Sequence, residues 1–173
     1  VSLMMTQGEV EMGLNGDSCS ITHLASKAVE KKTPAVTDKD IFAITGGAKG
    51  VTAACAMELA RDFSPTIILI GRSELSGEEA EWVKGIENEG ALKKAIISNM
   101  FAGKKATPNE VQKIYNKIIS DREIKQNIEQ MRSFGAKVAY FSADVRDQRR
   151  IESIFKEVED KYGSITSVIH GAG

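Results

Sequence analysis

An apolar segment that runs directly into a glycine-rich turn is the feature that most restricts how this chain can fold. Residues 41–44 read Ile-Phe-Ala-Ile, and the glycine-rich segment 45–52 follows at once. An apolar run without polar alternation is typical of a strand covered on both faces of a parallel sheet. A helix is predicted next, and residues 66–70 predict a second buried strand. These elements predict a right-handed βαβ unit, and with it an α/β fold whose sheet is parallel and doubly wound.

The helix predicted after the turn is amphipathic. Val51, Cys55 and Leu59, with Phe63 one turn further on, recur at helical spacing and are expected to form its apolar face. Pro65 closes the helix, because proline cannot continue it.

The glycine-rich turn gives the first indication of function. Glycines let the backbone approach a pyrophosphate closely, and the positive end of the following helix dipole attracts the phosphate charge. A P-loop does not fit, because Lys49 precedes Gly50 and no hydroxyl follows in the required place. The alternative is a turn that uses glycine for steric reasons alone. The position between a buried strand and a helix favours nucleotide binding.

Composition argues against several other classes of protein. The 173 residues carry 23 basic and 24 acidic side chains, so the net charge of -1 gives no reason to expect nucleic acid or a membrane surface as a partner. No apolar run approaches the roughly 20 residues needed to cross a bilayer. Cys19 and Cys55 are too few for a disulfide scaffold, so we expect a reducing, cytoplasmic setting. The sequence contains no cluster with metal-ligand spacing.

The two ends of the sequence predict a domain boundary and a truncation. Residues 1–40 are interrupted by glycine and polar side chains, and they predict a linker or interdomain tail. Residues 167–170 predict a fourth buried strand, and the sequence stops three residues later at a glycine turn. We therefore expect residues 41–173 to be an incomplete domain, truncated after its fourth strand.

A helical insertion is predicted between the second and third strands. The third strand, residues 137–141, begins about sixty-five residues after the second, whereas a single crossover helix needs only about two dozen. Within the insertion, which covers about 74–134, ten acidic and ten basic side chains suit solvated helical faces. It is either an interaction surface, with Trp82 as the candidate anchor, or a hairpin packed on its own domain.

Two helices are predicted in this insertion. The first has an apolar stripe at helical spacing. The stripe consists of Leu92, Ile96 and Met100, with Ile97 and Phe101 beside it. The second begins at the capping-box pattern of residues 107–110 and is expected to stop at Gly135. The helical spacing of its apolar residues shifts near residue 120, which predicts a bend in the helix or a change of packing partner.

The turn and the end of the second strand resemble a known family. Residues 45–50 are similar to the Thr-Gly-x-x-x-Gly-x-Gly turn of short-chain dehydrogenases/reductases. With the segment 69–73, Leu-Ile-Gly-Arg-Ser, they resemble the ketoreductase domain of polyketide synthases and polyunsaturated fatty acid synthases, over about residues 41–173. One departure is that Thr52 replaces the third glycine, which implies wider helix–strand packing or a hydroxyl that reaches the phosphate.

The end of the second strand indicates which nucleotide would bind. NAD-selective folds place an acid there for the ribose 2′-hydroxyl, whereas a 2′-phosphate needs a cation. Here Arg72 and Ser73 follow the strand, and no acid occurs before Glu74. The planar guanidinium of Arg72 suits a phosphate, and Lys49 is a second candidate cation. The resemblance therefore implies NADP, bound as NADPH.

The resemblance also implies contacts from the third and fourth strands. Asp144 and Val145 match the segment that faces adenine, although Asp147 three residues later reads as a helix N-cap. The backbone of residues 171–173 matches the segment along the cofactor ribose. The complete set of expected cofactor-binding residues is Thr45, Gly46, Gly47, Lys49, Gly50, Val51, Arg72, Ser73, Asp144, Val145, Gly171, Ala172 and Gly173.

The implied activity is the NADPH-dependent reduction of a 3-oxoacyl thioester, carried by an acyl carrier protein, to the 3-hydroxyacyl form. The family uses a Tyr-x-x-x-Lys pair, but none of Tyr115, Tyr140 and Tyr162 has a lysine four residues later. No catalytic residue is therefore assigned, and the expected partners are the carrier protein, the rest of the domain and neighbouring synthase domains. The alternatives are a non-catalytic nucleotide-binding or scaffolding module and a free-standing short-chain reductase of a small substrate.

Overall fold

The computed structural model describes residues 12–21, 25, 35–103 and 105–172 of a chain that divides into two compact units, 1–34 and 35–173. In the first unit, β1 (Met12–Asn15) and β2 (Ser18–Ile21) form an antiparallel hairpin. Gly16 in its two-residue turn has a φ of 58°, as the favoured short hairpin turns require. The linker expected over residues 1–40 lies mostly outside the described residues and stays a prediction.

Four parallel strands form the sheet of the second unit. They are β3 (Ile41–Thr45), β4 (Thr66–Gly71), β5 (Lys137–Ser142) and β6 (Ser167–His170), and they lie in the order β5-β4-β3-β6. The inner strands β3 and β4 are buried along almost their whole length, which accounts for their unbroken apolar sequences. The order matches the first four strands of the Rossmann fold, so the predicted fold class is confirmed.

Helices cover both faces of this sheet. They are α1 (Gly50–Phe63), α2 (Glu89–Met100), α3 (Pro108–Ser133) and α4 (Gln148–Tyr162). Ile67 and Leu69 of β4 share one core with α1 and the second half of α3, whereas Ile68 and Ile70 share the other with α4. The sheet is therefore doubly wound, as expected. Among the helices of the described residues, none combines the length and apolar character that crossing a bilayer demands.

The face of α1 that packs on the core differs from the prediction. Its buried residues are Ala53, Ala56 and Ala60, whereas Val51 is 82% exposed and Cys55 is exposed. The cause is close packing: α1 lies against both the sheet and α3, and the positions that face them most directly are small alanines. The expected apolar face was wrong for Val51 and Cys55, whereas Leu59 is partly buried against the core. The alanines were not predicted because alanine contributes little to an amphipathic pattern.

The start and the end of α3 confirm the prediction. The Thr107 N–H donates to Glu110 Oε2 at 2.9 Å, and the Glu110 N–H donates to Thr107 Oγ1 at 3.3 Å, which completes a capping box. Gly135, with a φ of 94°, lies just past the helix end. Between these points α3 is one continuous helix of 26 residues.

The predicted change of packing partner along α3 is also confirmed. Near its start, Val111 packs with Leu92 and Ile96 of α2 in a separate core of the insertion. Further on, Ile124 and Ile128 join the core beneath the sheet. The second half of α3 therefore serves as the crossover helix between β4 and β5, and the first half carries the insertion.

Some side chains of the insertion depart from expectation. Ile97 and Met100, placed in or beside the apolar stripe of α2, are 45% and 53% exposed because α3 covers only part of that helix. Asp121, counted among the charges of solvated faces, is only 6% exposed. Trp82 is half-buried against the core of the insertion.

The last strand is less covered than predicted. The burial of β6 alternates along its four residues, and Val168 is 62% exposed. β6 pairs only with β3 among the described strands and lies at one end of the sheet. The prediction of a buried strand was wrong because the face of β6 that carries Val168 joins none of the hydrophobic cores of the described residues, whereas Ile169 packs against one.

Candidate cofactor site

A cavity of about 500 Å³ opens at the carboxyl ends of the parallel strands. Its walls are the glycine turn, the ends of β4, β5 and β6 with the residues that follow them, and Ile124 of α3. In open α/β sheets ligands bind at this edge, at the point where the strand order reverses. The reversal here falls between β3, which leads into the glycine turn, and β6.

The glycine turn leaves no room for side chains at two of its positions. Gly46 has a φ of 70°, and a Cβ there would lie 2.7 Å from the carbonyl oxygen of Gly171. A Cβ on Gly47 would lie 2.5 Å from Cγ2 of Ile44 and 2.9 Å from Cδ2 of Leu69. The Gly46 N–H donates to the Ile70 carbonyl at 2.8 Å. The turn is therefore fixed tightly between the ends of β4 and β6.

Thr52, which replaces the third glycine of the family pattern, packs against the end of β6. A Cβ on Gly171 would lie 2.4 Å from Thr52 Oγ1 and 2.5 Å from Cγ2. The space for the threonine side chain comes from the glycine that faces it. Thr52 is accommodated in this way, without the hydroxyl lining the cavity.

Thr45, a predicted cofactor-binding residue, holds the end of β6 instead of lining the cavity. Its Oγ1 lies 2.7 Å from Nδ1 of His170 and accepts a hydrogen bond from the Ala172 N–H at 3.3 Å. The Gly171 N–H donates to the Thr45 carbonyl at 3.0 Å. Thr45 thus fixes the position of the backbone at residues 171–172, which does line the cavity.

The N-terminus of α1 is not capped by its own N-cap side chain, and a carboxylate from α3 binds one of its N–H groups. Lys49 is the N-cap but its side chain makes no capping hydrogen bond. The first N–H groups of a helix have no partner within the helix. Among the described residues, only Glu123 provides a side-chain acceptor for one of these groups. Its Oε1 accepts a hydrogen bond from the Gly50 N–H at 3.3 Å. Gly50 and Val51 border a separate depression beside Glu123, outside the cavity lining.

The two predicted cations differ in their surroundings. Arg72 follows β4 on the cavity wall, and its guanidinium forms no hydrogen bond with any described residue. Lys49 also lines the cavity, but its ammonium donates to Ser120 Oγ at 2.8 Å. Arg72 is therefore the one of these two cations whose donors are all without a hydrogen bond to a described residue.

Tyr140 of β5 forms part of the cavity wall and was missed in the sequence. Its hydroxyl donates to the Ser73 carbonyl at 2.6 Å, and its ring lies against Gly71. Burial raises the pKa of the Tyr140 hydroxyl, and the nearby charge of Asp121 raises it further. The hydroxyl therefore stays protonated and keeps its bond to Ser73. No local signal distinguishes this tyrosine from any other strand tyrosine.

Asp144 is paired with an arginine that sequence reasoning did not select. Arg146 binds it through two nitrogens, with Nη2 at 2.6 Å from Oδ2 and Nε at 3.0 Å from Oδ1. These bonds hold the pKa of the Asp144 carboxyl well below its usual range, and the charge of Arg72 contributes. The available signal was the Asp-x-Arg spacing directly after a strand. Asp147 caps α4 as predicted, since its Oδ1 accepts from the Arg150 N–H at 3.1 Å.

The cavity brings together most of the residues predicted to bind the cofactor. Those that line it are Gly46, Lys49, Arg72, Ser73, Asp144, Val145, Gly171 and Ala172. Thr45, Gly47, Gly50 and Val51 border the same turn without lining the cavity. Gly173 lies outside the described residues. Binding by any of these residues stays a prediction.

The donor set of the cavity fits a dinucleotide that carries phosphates. The Arg72 guanidinium at the end of β4 suits a phosphate group, and the glycine turn that lines the cavity leads into the start of α1, where phosphates commonly bind. Glycines at positions 46 and 171 keep side chains out of the space between the turn and β6. No cluster that could hold a metal ion occurs within the part of the chain described.

This fold and this site define the class of short-chain dehydrogenases/reductases. Within that class the chain belongs to the KR domain family, whose model matches residues 41–173. The resemblance to ketoreductase domains is therefore confirmed.

Several known proteins are similar to this chain. It is 29% identical over 95% of its length to a polyunsaturated fatty acid synthase from Thraustochytrium sp., and 25% identical over 86% to polyketide synthase PksL of Bacillus subtilis. It spans only 6% and 3% of these two relatives. A crystal structure of a ketoreductase domain from the bacillaene assembly line matches with a TM-score of 0.54 at 26% identity, covering 84% of this chain and 24% of that one. The chain is thus similar to ketoreductase domains of multidomain synthases.

Proposed function

We propose that this chain binds NADPH and forms the cofactor-binding part of a ketoreductase domain. The reaction proposed for that domain is the reduction of a 3-oxoacyl thioester to the 3-hydroxyacyl form. The observation that carries the cofactor assignment is the exposed Arg72 side chain on the cavity wall at the end of β4, which forms no hydrogen bond or close ion pair with a described residue. A cation at this position suits the 2′-phosphate that distinguishes NADPH from NADH.

Each part of the cavity has a distinct role in this proposal. The free N–H groups of the glycine turn and of α1 hold the diphosphate. Arg72 and Ser73 hold the 2′-phosphate, and the backbone at Gly171 and Ala172 borders the ribose. Asp144 and Val145 border the adenine, and the bond between Asp144 and Arg146 keeps that carboxylate charged.

The chemical step needs a hydride and a proton. NADPH, when bound, supplies the hydride to the carbonyl carbon of the substrate. No tyrosine of this sequence has the lysine four residues later that the family uses to lower its pKa. We therefore propose that the proton donor lies outside this sequence and that these 173 residues bind and orient the cofactor without completing the reaction.

We propose an acyl carrier protein as the bearer of the substrate and other synthase domains as neighbours. Support comes from the KR family match together with the small share of each relative that this chain spans, 6% and 3%. Both relatives are named as synthases, and this chain matches only a small part of each.

Titration of the full chain with NADPH and with NADH, followed by cofactor fluorescence, tests the cofactor assignment. For Arg72→Glu we expect the NADPH dissociation constant to rise at least about tenfold, because a charge-assisted contact contributes about 1.5–3 kcal/mol. The NADH constant should change by less than about twofold. Arg149→Glu on the exposed surface of α4 is the matched control, and it should leave both constants unchanged. Equal weakening for both cofactors, or no NADPH binding by the wild-type chain, would contradict the proposal.

A further inference from the structure

Helix α3 of the insertion contacts both loops that border the cavity. One is the glycine turn, residues 45–50, and the other is the loop after β4, residues 72–77, called here the β4 loop. Different side chains of this helix, all within residues 117–127, contact the two loops. The helix thus sets the distance between the loops.

Three side chains of α3 hold the β4 loop. The Ser76 N–H donates to Asp121 Oδ2 at 3.3 Å. The ammonium of Lys117 binds the Glu74 carbonyl, and that of Lys125 binds the Gly77 carbonyl. Lys117 also donates to both carboxylate oxygens of Asp121, at 2.6 and 2.7 Å.

The β4 loop has little other support. Among the described residues, no backbone–backbone hydrogen bond involves residues 72–77. The remaining bonds to the loop come from β5, where Tyr140 donates to the Ser73 carbonyl and Ser142 to the Arg72 carbonyl at 3.4 Å. Side chains of β5 therefore bind the carbonyls of residues 72 and 73, and side chains of α3 bind the part of the loop that follows them, residues 74–77.

Asp121 is the central group of this support. Its side chain is 9% exposed, and a buried charge is stable only when it is paired and hydrogen-bonded. Burial raises the pKa of Asp121, but the bonds from Lys117 and Ser76 outweigh it, and the net pKa lies below the usual range. The carboxylate is therefore charged at neutral pH, and its charge is directed at the loop.

The contacts between α3 and the glycine turn are separate. The Asn127 amide donates to the Ala48 carbonyl at 2.9 Å, and Ser120 accepts from the Lys49 ammonium. These bonds hold the part of the site where a diphosphate would bind. Because NADPH and NADH share the diphosphate, this contact does not distinguish them.

We propose that Asp121, together with Lys117, is a positioning residue that holds Arg72 and Ser73 where they distinguish NADPH from NADH. This role rests on the proposed function, since it concerns selectivity at the same cavity. Asp121 does not line the cavity and acts through the β4 loop.

The test compares the dissociation constants of NADPH and NADH for variants of the full chain. Asp121→Asn should raise the NADPH constant about five- to tenfold and change the NADH constant less than about twofold, since a looser loop affects only the 2′-phosphate contact. Asn127→Ala should raise both constants by a similar factor. Glu129→Gln, on the exposed face of α3, should change neither.

The outcomes separate this inference from the proposed function. If the wild-type chain does not bind NADPH, the proposed function fails. If it binds NADPH selectively but Asp121→Asn weakens both cofactors equally or neither, the positioning role is overturned. Should Asp121→Asn fail to fold by circular dichroism, Lys117→Gln carries the test, because that side chain is 44% exposed. An unchanged ratio of the two constants in that variant overturns the inference as well.

Discussion

The glycine turn and the β4 loop border the same cavity but are held in place by different forces. The turn is fixed by steric contact, because Gly46 and Gly47 fit where a Cβ would collide with neighbouring atoms. The β4 loop is fixed by hydrogen bonds and charges from Lys117, Asp121 and Lys125, which lie more than forty residues further along the chain. One part of the site therefore depends on shape and the other on electrostatics.

This difference decides which of the two regions can be recognised from the local sequence. A sterically fixed turn requires particular residues at particular positions, so its sequence reveals it. A loop held by a distant helix imposes no local pattern, so its sequence does not reveal what holds it. The two regions should also respond differently to mutation and to pH.

The largest expected effect is on the sterically fixed turn. Gly47→Ala places a Cβ 2.5 Å from Cγ2 of Ile44 in the core, and we expect the free energy of unfolding to fall by about 3 kcal/mol. Gly77→Ala is the matched control, because nothing lies within 4 Å of a Cβ there. Urea denaturation measures both variants. A stability of Gly47→Ala equal to that of the control would show that the turn is not sterically fixed.

A smaller and pH-dependent effect is expected at Asp121. Its folded-state pKa is lowered, so its charged form adds stability above the unfolded-state pKa of about 3.9, and that stability is lost as the pH falls. We expect Asp121→Asn to be less stable than wild type by about 2 kcal/mol at pH 7. The difference should narrow as the pH falls from about 5 to about 3.

Urea denaturation at several pH values follows this difference. Other titrating carboxylates are common to both proteins and cancel from the comparison. The deficit of Gly47→Ala should not depend on pH, because it is steric. A deficit of Asp121→Asn that is the same at neutral pH and at about pH 3 would mean that charge is not what holds the β4 loop.

The smallest effect is expected at Lys49. Its ammonium is bonded to Ser120, so we expect Lys49→Met to change the NADPH dissociation constant by less than about twofold. The comparison with Arg72→Glu in the same fluorescence titration ranks the two cations. A selective loss of NADPH affinity of about fivefold or more would instead support direct contact between Lys49 and the 2′-phosphate.

The sequence predicts the fold, the glycine turn and the position of Arg72 better than it predicts the contacts between distant segments. The strands, the glycine turn, the capping box at Thr107 and the stop at Gly135 all depend on local chemistry, and the structure confirms them. Arg72 was selected because the end of a strand has a known relation to the nucleotide. These elements need no knowledge of which distant segments meet.

The errors arose where packing partners decide the outcome. The helical spacing predicts Val51 on the buried face of α1, but the fully buried residues of that helix are alanines and Val51 is exposed. The charge balance of the insertion predicts a solvated Asp121, and its partner Ser76, 45 residues away, gives no local sign of burial. Tyr140 reaches the cavity only after β4 and β5 pair, and no local pattern distinguishes it. Arg146 has a local signal, the Asp-x-Arg spacing after β5.

The contact between Thr52 and Gly171 has a consequence for how members of this family are recognised. Thr52 has a side chain in this contact and Gly171 has none. The fold therefore limits the combined side-chain volume of the two positions, and not the volume at either one. A sequence that departs from the three-glycine pattern in the helix can satisfy the same constraint with a glycine 119 residues later. The two positions form one unit, and judging either of them alone would reject chains that fold in the same way.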